Sequence, residues 1–243
     1  MDPDLTAASY ANHCVTIVGW DDNYSKENFG TYQPSSDGAW LIANNYGSDY
    51  GDDGYFWISY EEPTLTEFYS FKAASASTYD NAYQYDGFGW GNAISSGNTS
   101  TLAANIFTAN TDYNQNLDSV GIYTIEDDQP YTISIYKNIS GNVPTNGTLV
   151  ETVSGTQAYN GYHVITLDQS VSLNAGETFS VVISYDKTSN VSGYIPIEGG
   201  SYDDGNTKVT YTSQSNQSFL YLDNQWSDLS DYCLLYTSDA ADD

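Results

Sequence analysis

Thr178-Phe179-Ser180-Val181-Val182-Ile183-Ser184-Tyr185 and Thr132-Ile133-Ser134-Ile135-Tyr136-Lys137 alternate between apolar and polar side chains. Successive side chains of a strand point to opposite faces, so this period puts one face in a core and the other in water. Val, Ile, Phe, Tyr and Thr also suit a pleated, half-buried surface. The same pattern continues outward in shorter runs, Ser119-Val120-Gly121-Ile122-Tyr123-Thr124 and His163-Val164-Ile165-Thr166-Leu167. Turn clusters separate the runs: Glu126 to Pro130, Asn138 to Gly147, Asn174-Ala175-Gly176 and Tyr202-Asp203-Asp204-Gly205. Many short strands, turn chemistry between them and no helical period predict an antiparallel β-sandwich over residues 66–232. No internal repeat is evident.

Residues 1–65 are also strand-and-turn sequence, in a different arrangement. Asn12-His13-Cys14-Val15-Thr16-Ile17-Val18-Gly19-Trp20 holds a short β-branched run, and Asp21-Asp22-Asn23 is turn chemistry. Residues 25–38 are polar, with Gly30, Pro34 and Gly38, and read as a loop. Trp40-Leu41-Ile42-Ala43 and Tyr55-Phe56-Trp57-Ile58-Ser59-Tyr60 read as buried strands. The glycine-rich stretch from Asn44 to Gly54 between them needs tight backbone turns. Glu61-Glu62-Pro63 breaks the pattern, which places a domain boundary near residue 65. The whole chain is expected to be mainly β.

With 32 acidic residues, five Lys and no Arg, the chain carries a net charge of -27. Phosphate backbones and anionic lipid surfaces need cationic partners, so nucleic acid and membrane surfaces are disfavoured. No apolar run approaches the ~20 residues of a membrane-spanning helix. Met1-Asp2-Pro3-Asp4 has neither the basic start nor the apolar core of a secretion signal. The two cysteines are Cys14 and Cys233. A disulfide between them exists on paper, but Cys14 sits within an apolar run and reads as a small buried hydrophobe.

His13 and Asn44 carry the chemistry. A thiol nucleophile needs a base, and the base needs a third group that fixes its tautomer. His13 precedes one apolar strand and Asn44 closes another. The amide oxygen of Asn44 is suited to accept from one ring nitrogen and leave the other facing a thiol, the Cys-His-Asn variant of triad logic.

Residues 12–60 resemble the C-terminal part of a papain-family cysteine peptidase. That family's His is followed by small and apolar residues and then Val-Gly-Tyr or Val-Gly-Trp, as in His13-Cys14-Val15-Thr16-Ile17-Val18-Gly19-Trp20. Its Asn opens Asn-Ser-Trp-Gly, then Trp-Gly and Gly-Tyr. Asn44-Asn45-Tyr46-Gly47, Tyr50-Gly51 and Gly54-Tyr55 stand in these places. The resemblance implies a partial papain-type β-barrel half-domain over residues 1–65, with His13 and Asn44 catalytic and no cofactor required. Asn45 stands where Ser is usual, and Tyr46 and Tyr50 where Trp is usual. A tyrosine shields the His–Asn hydrogen bond less completely than an indole. The family's nucleophilic Cys, and the Gln that helps form its oxyanion hole, lie upstream and are expected to be missing from this chain. Cys14 is no substitute, because adjacent strand residues point to opposite faces.

Residues 66–232 resemble the lectin-like domain that follows a papain-type peptidase in secreted and cell-surface proteins of Gram-positive bacteria, a sandwich of jelly-roll type. The cues are Phe68-Tyr69-Ser70-Phe71, the run from Tyr79 to Asp86, Ala103-Ala104-Asn105-Ile106-Phe107, Gly161-Tyr162-His163, Phe179-Ser180-Val181-Val182 and Ser218-Phe219-Leu220 with Trp226. Phe88, Trp90 and Trp226 have two readings, as core or rim residues or as stacking faces for sugars. Asp80, Asp86, Asp203 and Asp204 likewise read as solvated turns or as hard oxygen ligands for calcium. His163, mid-strand, reads as structural.

The resemblance implies a fragment of a secreted or cell-surface endopeptidase, at the bacterial cell surface or outside the cell, inactive alone for want of the nucleophile. Its partners would be a protein or peptide substrate, the missing N-terminal half of the peptidase domain, and a cell-wall or surface glycan. The competing reading is a surface glycan-binding or adhesion module with an inactive peptidase remnant. Residues 233–243, Cys233-Leu234-Leu235-Tyr236-Thr237 and an acidic tail, resemble a translated sequencing adapter and are set apart from fold reasoning. The stretch Cys233 to Thr237 has the composition of a strand. Strand faces without their partner, and a sandwich without its last strand, predict a marginally folded chain whose C-terminal part is the sturdier.

Overall fold

Apolar runs of the N-terminal part pair into an open antiparallel sheet. Its strands are β1 (Thr16–Asp21), β2 (Ala39–Ala43) and β3 (Tyr55–Ser59), in the order β1-β2-β3. The computed structural model describes residues 13–75, 77–87, 90–95, 100–198, 201–203, 205, 208–210 and 213–233. Two compact units divide between Tyr79 and Asp80. In the first, β2 is central, and Ala39 and Ile42 are fully buried. Ala43 pairs with Tyr55 at one end of β2 and β3, and Ala39 pairs with Ser59 at the other.

β1 departs from its expected burial. Ile17, Val18 and Trp20 are exposed, Trp20 by 66%, and Cys14 is an exposed free thiol just before the strand. The expectation of a small buried hydrophobe at Cys14 is therefore wrong. Within this unit β1 is an edge strand with one neighbour, and a bulge between Ile17 and Gly19 disturbs its alternation.

The 25–38 loop contains a 3-10 turn, Lys26–Phe29, whose first free N–H is capped by the Ser25 hydroxyl. Glu61 anchors the rest of the loop. Its carboxylate accepts from the backbone N–H groups of Ser35 (2.8 Å) and Ser36 (2.9 Å) and from both hydroxyls. These bonds, the Ser36 hydroxyl foremost, pull its pKa down from 4.5 to about 2. A carboxylate lowered in this way stabilises the folded loop fully above pH 4.5 and loses that effect as the pH falls through about 2. Protection of the Ser35 and Ser36 amides, taken relative to their intrinsic exchange at each pH, is expected to fall across that window in the native chain. In Glu61→Gln the window should vanish and protection should be low throughout.

The second unit holds β4 (Asn92–Ile94), β5 (Ser100–Thr108), β6 (Gln115–Thr124), β7 (Gln129–Lys137), β8 (Thr148–Gln157), β9 (Gly161–Leu173) and β10 (Thr178–Asp186). After these come β11 (Ile195–Ile197), β12 (Ser201–Asp203), β13 (Lys208–Thr210), β14 (Ser218–Leu222), β15 (Gln225–Asp228) and a short helix α1 (Leu229–Cys233). Six strands form one antiparallel sheet, β15-β14-β5-β10-β7-β8, and β6 pairs with β9 in a ribbon. The alternation that identified these strands also builds the core. Ile133, Ile135, Phe179 and Val181 from the sheet meet Ile122, Ile165 and Leu173 from the ribbon. β10 is buried on both faces: Val182 joins Ala104, Ile106 and Phe219 in a second cluster, and Ser180 donates to the Pro144 carbonyl.

The mainly β architecture and the sandwich are as the alternation predicts, with layers of unequal size, six strands against two. Two local readings are corrected. Tyr202 and Asp203 lie in β12 rather than in a turn, since Ser201–Asp203 pairs with Lys208–Thr210. Cys233 ends α1 rather than starting a strand, because Asp228 caps that segment by accepting from the Ser230 N–H at 2.9 Å. Residues 234–243 lie outside the described residues.

Candidate active site

β2 ends at Ala43, and the next residue is Asn44. Its backbone N–H donates to the Gly54 carbonyl at 2.9 Å, which closes the 44–54 loop on itself. The loop needs three glycines with positive φ: Gly47, Gly51 and Gly54. Gly51 is the tightest, at φ 67, because a Cβ there would sit 2.3 Å from the Tyr55 carbonyl oxygen. Gly51→Ala is expected to destabilise the N-terminal unit by more than about 1 kcal/mol. A lower urea midpoint for that unit would report it, with Gly54→Ala, where the nearest atom is 3.4 Å away, as the milder comparison.

The structure brings the two residues singled out in the sequence together. His13 Nε2 lies 2.8 Å from Asn44 Oδ1. The same oxygen accepts from the Asn45 backbone N–H at 2.9 Å. A backbone N–H can only donate, so this atom is the amide oxygen and the His13 nitrogen facing it carries the proton. The neutral ring then has its lone pair on Nδ1, on the far side from Asn44. Such a ring can take a proton at Nδ1 and keep its orientation while doing so.

Tyr46 stacks on the imidazole, with ring centroids 4.6 Å apart and planes 24° from parallel. Tyr50 meets Tyr46 edge-on at 5.5 Å, and Phe56 meets Tyr50 at 5.9 Å. The aromatic chain anchors the shield in β3. It covers one face of His13, yet Tyr46 remains 61% exposed. The bond from Asn45 went unread in the sequence, and no side-chain signal points to it, since any residue there except proline would donate alike.

The other candidates are dispersed over the second unit. Trp226 packs against the second core cluster, donates to the Thr145 hydroxyl at 3.2 Å and meets Tyr221 edge-on, so its ring is engaged within the fold. Trp90 is 48% exposed. His163 Nε2 is 3.0 Å from the Tyr159 carbonyl and 3.3 Å from the Thr124 hydroxyl, the structural role expected of it. Asp80 is exposed. Burial first, and then Glu198 beside it, holds the Asp86 carboxyl above its ordinary range. Asp203 ends β12, whereas Phe88 and Asp204 lie outside the described residues. Among the described residues no three metal-ligating side chains converge.

Comparison with known proteins agrees with this division. A family model of the lectin-like domain matches residues 82–240, about two-thirds of the chain. The chain belongs to the lectin-like domain family. Ahead of the lectin-like domain, residues 3–75 match the papain family of cysteine proteases, and these contain His13 and Asn44. Among solved structures, the clostridial cysteine protease Cwp84 after propeptide cleavage is 31% identical with a TM-score of 0.72, covering 91% of this chain and 54% of that one. The cysteine protease and lectin-like domains of Cwp84 from Clostridium difficile, a surface-layer-associated protein, are 29% identical with a TM-score of 0.68, covering 93% and 50%. The chain thus spans about half the length of those relatives. None of the curated proteins matches it. Among the described residues no helix is long and apolar enough to cross a membrane.

Proposed function

We propose that this chain supplies the base half of a papain-type cysteine endopeptidase together with its lectin-like accessory domain. The observation that carries the reading is the His13–Asn44 hydrogen bond at 2.8 Å beneath the Tyr46 ring. His13 is the general base that draws the proton from a cysteine thiol and returns it to the leaving amine. Asn44 holds the Nε2–H tautomer, and Tyr46 limits water at that bond. The nucleophile and an oxyanion-hole donor belong to an upstream half that packs beside His13. The exposed apolar side chains of β1 are consistent with such a partner.

The substrate is a protein or peptide. The likeness to a surface-layer-associated protease supports a place at the bacterial cell surface, where the lectin-like domain meets cell-wall or surface glycan. Fusing a nucleophile-bearing half upstream of His13 tests the proposal. The chimera is expected to hydrolyse peptides and to be blocked by a thiol-directed epoxide, whereas the chain alone cleaves nothing. A folded chimera without activity would instead favour an adhesion module with a peptidase remnant.

A further inference from the structure

The N-terminal unit has a concavity at the end of the sheet away from Asn44. The Ala43–Tyr55 pair lies beside Asn44 and the Ala39–Ser59 pair at the other end. Four steps along the strand separate them, about 13 Å. There a cleft of about 340 Å³ is lined by Phe29, Tyr32, Pro34, Trp57, Ile58 and Glu62 among others. Two of its walls are braced within the unit. Trp57 stacks on Tyr24 at 4.5 Å, and Tyr24 touches Phe29 at 5.5 Å. Glu62 Oε1 accepts from the Thr64 N–H at 3.1 Å and from its hydroxyl at 2.7 Å. Tyr32, 59% exposed, stands at the rim.

Aromatic faces attract cations, and a carboxylate beside them sharpens that preference. The chain's net charge of -27 repels anionic ligands. Lys26, carried by the neighbouring 3-10 turn, donates its ammonium to the Ser35 carbonyl at 3.1 Å. We propose that the cleft binds a primary alkylammonium group, the side chain of a lysine on a protein partner. Trp57, Tyr32 and Phe29 offer their rings, Glu62 pairs with the charge, and Pro34 covers the alkyl stem. With Oε1 engaged by Thr64, Glu62 presents one oxygen. That suits a point-like ammonium better than the two-pronged guanidinium of arginine. A quaternary ammonium has no N–H for that oxygen, and an amino sugar has no apolar stem for Pro34 and the rings. The assignment does not rest on the peptidase reading.

The test follows the Trp57 indole resonance of the full chain, labelled with ¹⁵N-tryptophan and assigned with Trp57→Phe. Nα-acetyl-lysine methylamide should shift it saturably, whereas the norleucine analogue, which lacks only the ammonium, should not. Glu62→Gln and Tyr32→Ala should each weaken binding about five-fold or more. The Tyr32 change is at an exposed site and leaves the fold intact. Equal response to the norleucine analogue, or unchanged affinity in both variants, overturns the proposal. Tighter binding of glucosamine or choline than of the lysine derivative overturns its assignment to a protein lysine.

Discussion

In a chimera that carries the nucleophile, His13→Ala should lower kcat/KM by about 10⁴-fold, and Asn44→Ala by about 10²-fold. The difference follows from what each group does. Without His13 nothing accepts the thiol proton and nothing returns it to the leaving amine, so both halves of the cycle lose their shuttle. Asn44 is neutral and transfers no proton. It fixes the ring through one bond of 2.8 Å, and its removal leaves the imidazole present in a mixture of tautomers and orientations. Tyr46→Ala should cost less than either, about ten-fold, because the 61% exposed ring already admits water to one side of that bond. Steady-state kinetics on one fluorogenic peptide orders the three. Equal and small effects would mean that the dyad is not the proton shuttle.

Phe179→Ala should give the largest loss of stability, about 3–5 kcal/mol. Phe179 lies on the central strand β10, is 1% exposed, and touches Tyr83 edge-on at 5.5 Å and Phe107 at 5.5 Å. Those rings join the sheet to the segment ahead of β5. Removing the central one opens a cavity that strands paired on both sides cannot close. A loss of that size is a large share of the ~5–15 kcal/mol that holds a domain folded. Urea unfolding of the sandwich should show it as a lower midpoint with an unchanged slope. Tyr159→Ala, at a side chain 77% exposed, should stay within about 0.5 kcal/mol of the parent. A Phe179 variant as mild as Tyr159→Ala would mean that the core is not organised around β10.

Most of the sandwich was legible because alternation is a local record of two faces. The runs around Ile133 and Phe179 became β7 and β10 with the expected side chains inside. β8 carried no such record. Leu149 and Val150 are both exposed at the edge of the sheet, where a bulge lets neighbouring side chains escape the period. Cys14 misled because apolar neighbours suggest burial only when a second layer lies above the strand. The meeting of His13 and Asn44 was legible as a motif, while the bond that fixes the amide comes from the Asn45 backbone and leaves no trace in residue type. Trp226 was ambiguous because an aromatic near a turn serves a core or a ligand equally well. Its bond to Thr145, 81 residues away in sequence, is a tertiary fact.

Nitrogen NMR of His13 in this chain, at about pH 9, reads which ring nitrogen carries the proton. Nε2 is expected to be protonated and Nδ1 bare, with that preference lost in Asn44→Ala. A ring protonated on Nδ1, or a tautomer balance indifferent to Asn44, would contradict it.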